Sequence, residues 1–213
     1  NNIKLISHIA KKKIPIILST GMMDMKTLEQ SIKVIRKNGN SKIVILQCTS
    51  NYPCTFENTN LSTLKEIKKK FKTPVGFSDH TEGNLASIVA TTLGACVIEK
   101  HFTLNKKFPG PDHIMSMDPK ELEKFISEIK NIYKLFGRKN KVILNCEIEN
   151  FKKLKKSLVS KFFIKKGNKI NLSMITAKRP GTGIQANKLN LVIGKEAKRN
   201  IQSNTIIKSE MLK

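Results

Sequence analysis

The sequence predicts an α/β fold: about four strand–helix units forming one half of a (β/α)8 barrel, followed by a small, mostly β domain. Three observations predict it. Short apolar runs alternate with amphipathic segments of helix length as far as residue 137. Those runs are apolar on both faces, as parallel strands covered by helices are. From residue 155 the pattern changes to short strand-like pieces broken by turns. Four units do not close a barrel, which needs eight and is typically about 250 residues long.

The elements follow in order. Ile3, Leu5, Ile6 and Ile9 mark a short helix over 2–12. Pro15–Leu18 is the first apolar run, ending in Ser19-Thr20-Gly21. Asp24 or Thr27 caps the next helix, whose face is Leu28, Ile32 and Ile35, and Gly39 ends it. Ile43–Leu46 is the second strand and 61–71 the helix after it, with Leu61, Leu64, Ile67 and Phe71 on one side. Val75–Phe77, helix 84–93 and Cys96–Ile98 continue the alternation, with Gly94 at the turn. Asp118-Pro119 opens a long helix, with a cap followed by proline at its first position. Leu122, Phe125, Ile126, Ile129 and Tyr133 are expected to face inward, and Gly137 to close it. Right-handed crossovers then lay the strands side by side in parallel. Residues 1–137 form the first domain, 138–154 a polar, basic linker, and 155–213 the second domain.

Composition narrows the function. The chain has 213 residues, 39% of them hydrophobic, with no Trp. No stretch approaches the length of a membrane span, no signal-peptide order opens the chain, and cytoplasmic residence is expected. Cys48, Cys54, Cys96 and Cys146 show no metal-type spacing and are read as reduced thiols. The formal charge is +24, yet only four of the forty basic residues are Arg. Base readout leans on the bidentate guanidinium, so scattered lysines point to solvated faces rather than to nucleic acid.

The chemistry gathers at the strand ends. His80 and His101 end consecutive strands, and two neutral imidazoles with open positions make a divalent-metal site. Asp79, Glu99 or Asp112 would orient them. Ser19, Ser50 and Ser78 end three successive strands, where hydroxyls and backbone amides ring a phosphate or carboxylate. Ser50 and Tyr52 are expected to share a direction, with Asn51 turned away. Pro109-Gly110-Pro111-Asp112 is a stiff loop carrying a carboxylate. His8 and His113 are read as structural.

Five blocks at these positions resemble the sialic acid synthase family: Ser19–Met22, Cys48–Pro53, Gly76–Thr81, Val97–Thr103 and Pro109–His113. Residues 155–213 resemble that family's C-terminal antifreeze-like (SAF) domain, marked by Lys178-Arg179-Pro180-Gly181-Thr182-Gly183. The resemblance implies a phosphoenolpyruvate-dependent synthase condensing that compound with an N-acetylated hexosamine of N-acetylmannosamine type. The products would be a nonulosonic acid and phosphate. It implies that His80 and His101 bind Mn2+ or Mg2+ and act in catalysis with Glu99. Ser19, Ser50 and Ser78 would hold phosphoenolpyruvate, Tyr52 and Asp112 the sugar. Arg179 would reach the partner protomer's site in a domain-swapped homodimer. The resemblance also implies four upstream strands that this sequence lacks, so the chain alone is expected to be inactive. The alternatives are a legionaminic or pseudaminic acid synthase, or a non-catalytic carbohydrate-binding fragment.

Overall fold

The computed structural model describes residues 2–213. They separate into two compact units, the first ending at Lys139 and the second spanning Asn140–Lys213. Among the described residues no helix is long and apolar enough to cross a membrane.

In the first unit α1 (Ile3–Lys11) precedes a four-stranded parallel sheet with strands in chain order: β1 (Ile16–Ser19), β2 (Ile43–Cys48), β3 (Val75–Asp79) and β4 (Ile98–Lys100). The crossovers are α2 (Met25–Lys37), α3 (Thr63–Phe71) and α4 (Leu85–Thr92), and α5 (Pro119–Phe136) follows β4. This is the curled sheet of a half-barrel. One face packs on the helices through Ile43, Ile45, Val75 and Phe77 against Leu28, Ile32, Ile35, Leu64 and Ile67. The other face is largely open: Ile17, Ser19 and Glu99 are exposed.

Local chemistry sets the element ends. Asp24 caps α2, accepting from the Thr27 amide at 2.7 Å. Asp118 and Glu121 form a reciprocal capping box on α5, with Pro119 at its first position. Gly39, with φ of 72°, turns the chain out of α2 as expected.

Two expectations are corrected. Strands β2, β3 and β4 run two residues beyond the apolar stretches, taking in Gln47-Cys48, Ser78-Asp79 and Glu99-Lys100. Backbone bonding to β3 does begin at Cys96, whose amide donates to Val75. Polar residues continue a strand wherever the ladder and a partner side chain satisfy them. The inward face of α5 is also narrower than its apolar pattern. Phe125 and Ile132 are buried, whereas Ile126 and Tyr133 are exposed. The helix packs chiefly on α4, which covers one stripe only.

The second unit contains α6 (Ile148–Leu154) and an antiparallel pair, β5 (Ser157–Ser160) with β6 (Ile175–Lys178). Isolated bridges such as Ile164 to Ile201 and Ala197 to Leu212 tie the remaining turns together. Its core holds Leu158, Ile164, Ile170, Val192, Ile201 and Ile207. Helix α6 lies within the stretch expected to be a linker.

Candidate active site

Neighbouring strands deliver the site residues through register and alternation. Ser78 stands opposite Glu99, and Asp79 opposite Lys100. Successive side chains point to opposite faces, so Ser78 and His80 share one side of the sheet with Glu99 and His101. The two imidazoles are neighbours there, with ring centroids 5.2 Å apart and planes at 79°. Tyr52 completes the group: its ring stacks on His101 at 4.3 Å and meets His80 edge-on at 5.4 Å.

Each ring is held by a different contact. His80 Nδ1 lies 2.8 Å from the Thr49 carbonyl. A carbonyl only accepts, so Nδ1 carries the proton and Nε2 keeps its lone pair. The Cys54 amide in turn donates to the His80 carbonyl at 2.7 Å, binding the loop after β2 to the end of β3. His101 Nδ1 is 3.7 Å from Asp112 Oδ2. Ser78 Oγ donates to Glu99 Oε1 at 2.7 Å. Burial raises the Tyr52 hydroxyl pKa, with a hydrogen bond to Ser116 pulling the other way. Ser116 Oγ also donates to the Asp112 carbonyl at 2.7 Å, which fastens the proline-glycine loop beside the aromatic group.

Not every expected residue joins this cluster. Asp79 does not orient an imidazole; it is fully buried on the opposite face, where Ser87 of α4 donates to it. Ser19 and Ser50 are exposed, at the end of β1 and just beyond β2, and Gly21 leaves room for the Ser50 side chain. A Cβ on Gly21 would stand 2.0 Å from Ser50 Oγ. Asn51 is exposed and bonds to the Pro53 carbonyl in a loop beyond β2, where strand alternation does not apply. Arg179 belongs to the second unit, where its Nε donates to the Leu154 carbonyl at 3.1 Å. His113 is structural, bonded to Thr103 Oγ1 at 2.8 Å. Sequence reasoning missed Thr49, Ser116 and Lys100. Lys100 was legible, because β3 and β4 side by side set it opposite Asp79.

The imidazole pair could hold a divalent cation: the rings are neighbours, 5.2 Å apart by centroid, and the Thr49 carbonyl leaves the His80 Nε2 lone pair free. Among the described residues no group of three or more His, Cys, Asp and Glu is placed to hold a metal ion. A separate cavity of about 690 Å3 lies beside α4 and α5, lined by Glu121, Lys106, Glu128 and Asn84 among others. These four bond to one another in pairs, Lys106 to Glu121 and Asn84 to Glu128, so the open imidazole face is the better site.

A parallel half-barrel with its histidine, tyrosine, serine and carboxylate groups at the C-terminal strand ends has the site layout of the (β/α)8 class. The chain belongs to the NeuB family, whose profile matches residues 1–141, and a SAF domain match covers residues 155–213. It is 41% identical to the N,N'-diacetyllegionaminic acid synthase of Campylobacter jejuni, over 97% of this chain and 63% of that one. It is 37% identical to human N-acetylneuraminate-9-phosphate synthase, over 84% of this chain and 50% of that one. The crystal structure of a Leptospira borgpetersenii N-acetylneuraminic acid synthetase, in complex with citrate, superposes with a TM-score of 0.64 at 32% identity. That match covers 70% of this chain and 52% of the other. The chain thus spans roughly half to three fifths of the length of these relatives.

Proposed function

We propose that this chain carries part of the active site of a nonulosonic acid synthase. The enzyme condenses phosphoenolpyruvate with an N-acetylated amino sugar and releases phosphate. The observation that carries the reading is the convergence of His80 and His101, with Tyr52 packed against both.

His80 and His101 would hold Mn2+ or Mg2+, which when bound supplies Lewis-acid polarisation of the open-chain sugar aldehyde. The Thr49 carbonyl keeps the His80 lone pair available, and the Asp112 carboxylate, 3.7 Å from His101 Nδ1, adds a negative charge beside the second ring. Glu99 holds the Ser78 proton at Oε1, so this pair can take up or return a proton as the substrate's oxygens change charge. Ser19, Ser50 and Ser78 offer hydroxyls to the phosphate and carboxylate of phosphoenolpyruvate. Tyr52 and Asp112 meet the sugar, and Arg179 acts in the site of a second protomer. Overall, carbon 3 of phosphoenolpyruvate bonds to the aldehyde carbon. Water adds at carbon 2, and the bond from carbon 2 to the phosphate oxygen breaks.

N,N'-diacetyllegionaminate is the second reading for the product, favoured by 41% identity across 97% of this chain. The protein is proposed to work in the cytoplasm. Turnover is proposed to need the portion of the relatives that this chain does not span. Mn2+ titration followed by electron paramagnetic resonance tests the site: the chain should bind one ion, and His80→Ala or His101→Ala should abolish binding. Phosphate release should appear only when the remaining barrel units are joined to the chain. An ion held equally well by both alanine variants would overturn the assignment.

A further inference from the structure

The charged pair behind the histidines has no place in the chemistry above, yet it is the best-connected polar cluster in the first unit. Asp79 is 0% and Lys100 8% exposed, and Lys100 Nζ lies 3.0 Å from Asp79 Oδ2. The same ammonium donates to the Thr81 carbonyl at 2.7 Å. Lys100 therefore grips the residues on both sides of His80 while itself preceding His101. Asp79 Oδ1 accepts from the Thr81 amide and hydroxyl, each at 2.8 Å, and Oδ2 accepts from Ser87 at 2.5 Å. The Lys100 contacts tie β3 and its exit to β4, the Ser87 contact ties β3 to α4, and the Thr81 contacts brace the turn between Asp79 and Thr81.

Position explains why such a clasp is needed. Strand β4 has three residues and, among the described residues, pairs only with β3. The ladder ends at the Asp79–Lys100 pair, one residue short of the imidazoles. Beyond it no strand pairing sets the separation of His80 from His101. A buried ion pair is a poor source of net stability, because desolvating two charges offsets their attraction, but it does fix geometry.

We infer that Asp79 and Lys100 are positioning residues, which lock the ends of β3 and β4 so that the His80 and His101 rings stay in register to share one cation. The inference rests on the proposed cation site. Its test separates the two.

Lys100→Met alone strands a buried carboxylate and will weaken the fold, so Asp79→Asn/Lys100→Met is made beside it. The double variant keeps side-chain volume and removes no net charge. Two quantities are measured on the 213-residue chain: Mn2+ affinity, and imidazole nitrogen-15 NMR spectra of the metal-free protein at mildly alkaline pH. The double variant should bind Mn2+ about 10- to 100-fold more weakly, the range for losing the groups that orient metal ligands. His80 should shift from the Nδ1-protonated form to an average of both tautomers. Lys100→Met, where folded, removes a cation and by Coulomb attraction alone would bind Mn2+ more tightly; a clasp predicts weaker binding. Wild-type affinity and an unchanged His80 spectrum in the double variant, with only melting temperature lowered, would show a purely structural pair and overturn the inference. Failure of the wild-type chain to bind Mn2+ would overturn the cation site instead, and the His80 spectra would still decide the clasp.

Discussion

Gly76 gives a sharp test of how closely β3 and β4 must approach. A Cβ there would stand 2.4 Å from Leu46 Cδ2, 2.5 Å from the Val97 carbonyl oxygen and 3.0 Å from Val97 Cβ. Leu46 is fully buried and has nowhere to swing, and the Val97 carbonyl already accepts from the Phe77 amide at 2.9 Å. Gly76→Ala must therefore push β4 away from β3. Overpacking of this kind costs about 1–3 kcal/mol. Gly76 does not lie at positive φ, so alanine also recovers about 0.4–1 kcal/mol by restricting the unfolded chain. With a backbone carbonyl and a fully buried side chain in the way the upper part of the clash range applies, and the net is a loss of up to about 2.6 kcal/mol, a fall in Tm of up to roughly 10 °C for a unit of this size. Scanning calorimetry reads it, and Mn2+ affinity should fall with it, since the strands that separate are those carrying His80 and His101. A Gly76→Ala chain with wild-type Tm and wild-type Mn2+ affinity would refute the reasoning.

Two more predictions concern stability. Gly183→Ala places a Cβ 2.3 Å from Ile206 Cγ2 and 2.7 Å from the Ile207 carbonyl, so it should destabilise the second unit by about 1–3 kcal/mol; far-ultraviolet circular dichroism on residues 140–213 would read the loss. Glu121 has its pKa lowered by its hydrogen bond to Lys106 first and by the Asp118 amide second. A carboxylate depressed in the folded state contributes stability that is complete above its unfolded pKa and disappears as pH falls through the folded value. Amide exchange at Asp118, whose N–H donates to Glu121, should accelerate in acid below the usual carboxylate range and not between neutral and mildly alkaline pH.

Legibility differed between the two kinds of structure. The strands were readable because Ile43–Leu46 and Val75–Phe77 are buried on the helix side by long-range packing that an apolar run reports directly. Their polar extensions were not, because Ser78-Asp79 and Glu99-Lys100 carry no apolar signal and join the ladder through neighbouring strands, Ser78 to Cys48 and Glu99, Asp79 to Lys100. The convergence of His80 and His101 followed from topology alone. Of the three carboxylates offered as orienting groups, Asp79 drops out because a neighbour in sequence is not a neighbour in space: strand alternation turns it away. Ile126 and Tyr133 were expected inside because an apolar stripe shows what a helix is able to bury, not how many neighbours it has.

The alternation at 78–81 also governs how this segment tolerates change. Ser78 and His80 reach the open face while Asp79 is enclosed against α4. Losing or gaining a single residue between Phe77 and Thr81 would invert the order, presenting a carboxylate to the open face and forcing an imidazole into the helix layer. A one-residue shift would therefore disturb every side chain of this segment at once, where a substitution disturbs one.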